Sequence, residues 1–166
     1  MDYRKLISDK ILSRETAASL VSMWKHEGAT IVFSNGCFDI IHPGHAQYLA
    51  EAAALGHKLI LGVNTDKSVT KLKGKGRPII PEKERCHLLA SFLFVDAIVL
   101  FDEDTPLGLI TLLLPDVLVK GKDYTINQIV GADIVLQNGG KVETIELVEG
   151  FSTSKLIERI AKLSHK

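Results

Sequence analysis

The sequence predicts one α/β domain built on a doubly wound, five-stranded parallel sheet. Two observations carry that expectation. Short apolar runs rich in β-branched residues alternate with longer stretches of helical spacing. Alternation of this regularity implies a parallel sheet covered on both faces. A chain of 166 residues, 46% of them hydrophobic, suffices for a single sizeable core. Right-handed crossovers then wind the chain across the sheet. No linker, repeat or low-complexity block divides it. Residues 1–166 therefore read as one domain, with a leading helical segment over 1–28 and an α/β core over 29–166.

In chain order, Ser13 is the N-cap of a helix over 14–27 that stops at Gly28. The first strand spans 30–33 and is followed by a helix over 45–55. A strand over 58–63 leads to helices over 66–72 and 82–92. A strand over 97–101 leads to a helix over 107–114, and one over 116–120 to a helix over 126–138. The last strand spans 141–145 and the last helix 153–163. Gly56 and Gly139-Gly140 read as left-handed helix stops. The loop over 73–81, rich in Gly, Pro and cations, reads as an exposed, mobile segment. With a 3-2-1-4-5 strand order, the ligand crevice opens between the first and fourth strands.

Composition narrows the function classes. Twenty basic and twenty acidic side chains cancel, which gives no whole-molecule pull toward nucleic acid or membrane. Cys37 and Cys86 form no C-x-x-C pair, so a disulfide framework is not expected. The first residues do not read as a signal peptide, and no apolar run is long enough to span a bilayer. A cytoplasmic protein is expected.

The first strand runs into Asn35-Gly36-Cys37-Phe38-Asp39 and then His42-Pro43-Gly44-His45. Histidines three apart at a helix start share one face. Pro43 suits the first helical turn, and Gly44 lets a ligand approach the backbone. A helix N-terminus already favours anions, so the pair reads as a polyphosphate site. Cys37, His42 and His45 have metal-ligand side chains, but no fourth ligand accompanies them. Ser152-Thr153-Ser154 caps the last helix and can offer hydroxyls and N–H groups to phosphate. Lys71, Lys73, Lys75 and Arg77 make the loop after the second strand a candidate lid carrying lysines to a triphosphate. Arg85, in an amphipathic helix, reads as a surface salt-bridge partner. The turn Lys120-Gly121-Lys122-Asp123-Tyr124 lies on the far side of the crevice. No Walker P-loop, G-x-G-x-x-G or G-x-S-x-G motif is present, which weighs against kinase, dinucleotide and acyl-transfer chemistry.

These residues resemble a known family. His42-Pro43-Gly44-His45 matches the H-x-G-H signature of the nucleotidyltransferase superfamily that includes the cytidylyltransferases. Ser152-Thr153-Ser154 resembles its second, Ser/Thr-rich signature. Segments 33–39, 62–66, 72–74, 77–78 and 119–124 are similar to its heptose 1-phosphate adenylyltransferases, which occur alone or as half of a bifunctional heptose enzyme. The similarity covers nearly the whole chain. It implies a Rossmann-like fold that transfers AMP from ATP to D-glycero-β-D-manno-heptose 1-phosphate. The products would be pyrophosphate and ADP-heptose for the lipopolysaccharide core. Mg²⁺ would enter with ATP, held mainly by the triphosphate and by no protein side chain.

Carried over by motif, His42 and His45 hold the α-phosphate. Lys73 reaches the phosphates, with Lys71 as second candidate. Asn35, Gly36, Cys37, Phe38, Asp39 and Gly44 lie against the nucleotide, with Lys120, Gly121 and Asp123 opposite. Ser152 and Thr153, with Ser154, take the β- and γ-phosphates, and Asp66 and Arg85 match family positions near the nucleotide. The resemblance implies small-molecule partners, ATP and a sugar phosphate. Family members are often homodimers, but no interface is legible in the sequence. Glycerol-phosphate cytidylyltransferases carry Arg-Thr-Glu-Gly where this chain has Leu147-Val148-Glu149-Gly150. They carry Gly-Asp-Asp-Trp where it has Gly121-Lys122-Asp123-Tyr124. Both departures weaken the alternative, a CTP-dependent glycerol-3-phosphate cytidylyltransferase. A nucleotide-binding regulatory module without turnover and a purely structural subunit fit the motifs less well.

Overall fold

The chain winds one parallel sheet of six strands in the order β1-β4-β3-β2-β5-β6. The computed structural model describes residues 2–146, 148 and 150–164; Leu147 and Glu149 of the 147–150 comparison lie outside the described residues. The strands are β1 (Ile11–Leu12), β2 (Ile31–Gly36), β3 (Lys58–Asn64), β4 (Ala97–Phe101), β5 (Val117–Gly121) and β6 (Lys141–Ile145). Five of them keep the expected 3-2-1-4-5 order. The sixth corrects the five-strand expectation. Between α1 (Tyr3–Ser8) and α2 (Arg14–His26), Ile11 and Leu12 pair parallel with Ile98 and Val99. Two residues are too few to show any periodicity in sequence.

The remaining helices are α3 (Pro43–Ala53), α4 (Asp66–Lys73), α5 (Glu82–Ala90), α6 (Leu107–Leu113), α7 (Ala132–Gln137) and α8 (Thr153–Ser164). Successive strand residues point to opposite faces, and both faces are covered. On one, Val32, Leu59, Leu61 and Val63 pack against Tyr48, Leu49 and Ala52 of α3 and Leu89 and Ala90 of α5. On the other, Ile31, Phe33 and Ile60 meet Ala17 and Val21 of α2, Leu109 and Ile110 of α6 and Val135 of α7. This is the two-sided burial that makes the strands read as continuous apolar runs. Among the described residues no helix is long and apolar enough to cross a membrane.

Two local expectations are corrected. The helix over 126–138 is interrupted: a 3₁₀ turn (Ile126–Gln128) precedes α7, and Gly131 between them sits at φ +83°. Gly56 does not adopt a left-handed conformation. A Cβ there would lie 2.6 Å from Val32 Cγ2 and 2.8 Å from the Thr30 carbonyl, so close backbone approach is what requires glycine. Gly139 is left-handed, at φ +79°.

The sheet itself opens the crevice. β2 pairs with β3 along its whole length, from Ile31 to Gly36. It pairs with β5 only at Val32 and Phe33. Beyond Phe33 the two strands part, and their carboxyl ends frame a gap at the point where the winding direction reverses.

Candidate active site

Beyond β2 the backbone makes an unusual turn. Phe38 and Ile40 both have positive φ, 48° and 49°, though neither is glycine. Gly36 makes room, since a Cβ there would lie 3.2 Å from the Phe38 ring. The turn delivers His42 to the N-cap position of α3, with Pro43 at its start. The rings of His42 and His45 stack with centroids 3.9 Å apart and planes 24° from parallel. The Phe151 ring lies 6.0 Å from that of His42 and 22° from parallel to it, and Phe38 meets His45 edge-on at 5.7 Å. Gly44 permits this packing: a Cβ there would be 3.1 Å from both His42 Nδ1 and Phe151 Cβ.

The electrostatics follow from burial. Burial, and then the neighbouring His42, push His45 down to about 4, so it is neutral at pH 7. His42 is also lowered by burial. The His42 backbone N–H donates to His45 Nδ1 at 3.4 Å, which leaves the Nε2–H of His45 as a hydrogen-bond donor. His42 Nδ1 and Asn35 Oδ1 are buried with no protein partner among the described residues, two polar atoms with capacity for a ligand.

The two rings face a cleft of about 630 Å³, a size suited to a nucleotide. Asn35, Gly36, Cys37, Phe38, Asp39, His42, Gly44 and His45 line one wall. Lys73, Lys120, Gly121 and Asp123 line others, and Ser152, Thr153 and Ser154 close one end. Lys120 reaches across the β2–β5 gap: its Nζ donates to the Asn35 carbonyl at 3.2 Å and sits 5.8 Å from the Tyr124 ring centroid. Burial pushes it down to about 8. Cys37 Sγ lies 3.8 Å from Asn64 Oδ1, and burial raises its thiol.

At the α8 N-terminus Ser152 Oγ accepts from the Lys155 N–H at 3.1 Å, and Thr153 Oγ1 donates to the Asp39 carbonyl at 2.6 Å. Two of the three hydroxyls are therefore engaged within the protein.

Three of the residues carried over by motif do not line the cleft. Lys71 pairs with Asp104 on the rim. Asp66 accepts from Arg85 at 2.9 Å. Arg85 itself is fully buried, which corrects its reading as a surface residue. Its guanidinium donates to the carbonyls of Ile80, Cys37 and Asn64 and to Asp66, four acceptors from three separate segments. The loop after α4 is exposed over residues 74–76, and its later part is tied down. The Asp39 carboxylate accepts from Arg77 Nε at 2.6 Å, Ile79 N at 2.8 Å and Ile80 N at 2.9 Å. Burial alone would raise that carboxyl, but these donors carry it below the usual range.

Several lining residues went unnoticed in sequence. Tyr48 is 14 residues from its hydroxyl partner Ser34, at 2.9 Å. Phe101, Thr105 and Pro106 arrive from the end of β4. A helical spacing from His45 marks the face of Tyr48; for the others no local signal exists.

Fold and site together define a doubly wound α/β protein whose ligand cleft lies at the switch point, between a paired-histidine helix start and a hydroxyl-rich one. The chain belongs to the cytidylyltransferase-like family, whose model matches residues 33–159. It is 52% identical over 91% of its length to the bifunctional protein HldE of Syntrophotalea carbinolica, of which the match covers 31%. It is 53% identical, over 91% of the chain and 31% of the relative, to HldE of Caulobacter vibrioides. The chain thus spans about a third of the length of these relatives. Among solved structures, the lipopolysaccharide core biosynthesis protein of Thermoplasma volcanium is similar at TM-score 0.58 and 29% identity. That match covers 73% of this chain and 98% of the other.

Proposed function

We propose that this chain transfers AMP from MgATP to D-glycero-β-D-manno-heptose 1-phosphate, releasing pyrophosphate and forming ADP-heptose. The observation that carries the reading is the stacked His42–His45 pair at the α3 N-terminus, with Phe151 and the α8 N-terminus against it on one cleft. The family, the HldE relatives and the lipopolysaccharide core protein support a sugar phosphate as acceptor.

The chemistry is an in-line displacement. A phosphate oxygen of the sugar attacks the α-phosphorus, the new P–O bond forms, and the bond to the pyrophosphate leaving group breaks. The nucleophile arrives ionised, so no general base is needed. The protein's task is positioning and charge stabilisation. His45, held neutral, donates its Nε2–H to the α-phosphoryl oxygens, and His42 lies beside it. Lys73 and Lys120 supply positive charge on two sides of the cleft. The α8 N-terminus offers backbone N–H groups to the β- and γ-phosphates, with Ser152 and Ser154 alongside. Mg²⁺ travels as part of the nucleotide substrate. Two copies of the chain as a homodimer and a cytoplasmic setting complete the proposal.

A product screen by mass spectrometry tests it. ATP and CTP are each offered with heptose 1-phosphate and with glycerol 3-phosphate. ADP-heptose with equimolar pyrophosphate is expected; CDP-glycerol as the main product refutes the adenylyl reading, and tight ATP binding without pyrophosphate release refutes turnover.

A further inference from the structure

Asp39 lines the cleft, yet its polar atoms are spent elsewhere. Its carboxylate is 1% exposed and accepts three donors from one loop: Arg77 Nε at 2.6 Å, Ile79 N at 2.8 Å and Ile80 N at 2.9 Å. Its carbonyl accepts the Thr153 hydroxyl at 2.6 Å. One residue thus holds two segments that are 38 and 114 positions away in the chain. The first begins directly after Lys73; the second is the hydroxyl-rich start of α8. The residues flanking Asp39, Phe38 and Ile40, both sit at positive φ. Such backbone persists only where its surroundings over-determine it, and here the four bonds to Asp39 do so. Arg85 closes the network from behind, donating to the carbonyls of Ile80 and Cys37.

We propose that Asp39 is a positioning residue that clasps loop 74–81 and the α8 N-terminus to a single turn. It thereby sets the distance between the two edges that grip the triphosphate. Its carboxylate touches neither nucleotide nor Mg²⁺. The inference rests on the nucleotidyl-transfer reading for what the cleft holds, but its test reads binding and local protection rather than turnover.

Asp39→Asn turns one acceptor oxygen into an NH₂ group facing N–H donors. Losing a charge-assisted bond of this kind should cost about tenfold or more. Amide exchange at Ile79 and Ile80 should quicken by that factor, and affinity for inorganic tripolyphosphate should fall by about tenfold. The Mg²⁺ concentration that half-saturates ATP binding should not move. Arg77→Lys, which keeps the ion pair, should retain most of the tripolyphosphate affinity; Arg77→Met should lose it. Asp39→Asn combined with Arg77→Met should be no worse than either alone, because both open the same clasp. Should Asp39→Asn not fold, the Lys and Met variants at Arg77 make the same comparison.

The proposal is overturned if tripolyphosphate affinity is unchanged while the Ile79 and Ile80 amides loosen. It is also overturned if the Mg²⁺ requirement shifts, which would make Asp39 a direct ligand, or if the two substitutions multiply. Strong tripolyphosphate binding by the unaltered protein without pyrophosphate release would refute the transferase reading and leave the clasp standing.

Discussion

His45 is governed by opposing demands of fold and chemistry. Stacked under His42 and shielded by Phe38, it is held neutral, with a pKa near 4 against 6.5 in an unfolded chain. A neutral imidazole can still donate one hydrogen bond to a phosphoryl oxygen that gains charge. We expect His45→Ala to lower kcat by about 10²–10³ while ATP affinity falls less. Rapid-quench turnover beside calorimetric binding checks this, and equal losses in both would contradict a transition-state role. The same burial has a consequence for stability. Between 6.5 and 4 the unfolded state binds more protons at this site than the folded state, so stability falls as pH drops through that window. Urea midpoints measured across it should decline with acid, and His45→Gln should flatten the decline. The pair itself was legible in sequence from its spacing and from Pro43. What Asp39 does was not, because every partner of its carboxylate lies at least 38 residues away.

At the scale of elements, the order of the five longer strands could be read from the regular alternation of strand and helix, and the central strands stand out because helices cover both of their faces. Boundaries were less legible where backbone conformation rather than burial decides them. Gly131 shows this. Helical spacing runs through 126–138, but at φ +83° the chain breaks and turns α7 onto the sheet. A Cβ at Gly131 would also sit 2.9 Å from Ile110 Cδ1 and Cγ2 of α6. Gly131→Ala should therefore destabilise the protein by about 1–3 kcal/mol, read as a lowered denaturant midpoint with an unchanged slope. The same substitution at Gly28, left-handed at φ +81° with open space around its Cβ position, carries only the backbone part of that cost. The short strand β1 escaped notice for a different reason: its two residues are held by β4 rather than by any pattern of their own.

For the molecule as a whole, Arg85 ties the site to the scaffold. Its buried guanidinium joins the end of β2, the end of β3 and the loop that Asp39 holds. Arg85→Met leaves those carbonyls and Asp66 without their donor and should cost about 3–5 kcal/mol, lowering the melting temperature of the entire domain in one cooperative step. Two separate calorimetric transitions would show that the site and the scaffold melt independently. The strands at the two margins of the sheet carry different guards. β6 bears charged Lys141 and Glu143, both exposed, which discourage a foreign strand from adding there. β4 has no such charges: Ala97-Ile98-Val99-Leu100-Phe101 would be a sticky template if its outer side were bare. Ile11 and Leu12 pair with its Ile98 and Val99 and so occupy the middle of that side. Replacing both with Gly should leave a folded molecule that still takes up ATP but polymerises on standing, visible as rising light scatter and thioflavin fluorescence. The smallest strand would thus serve as a stopper against fibre growth.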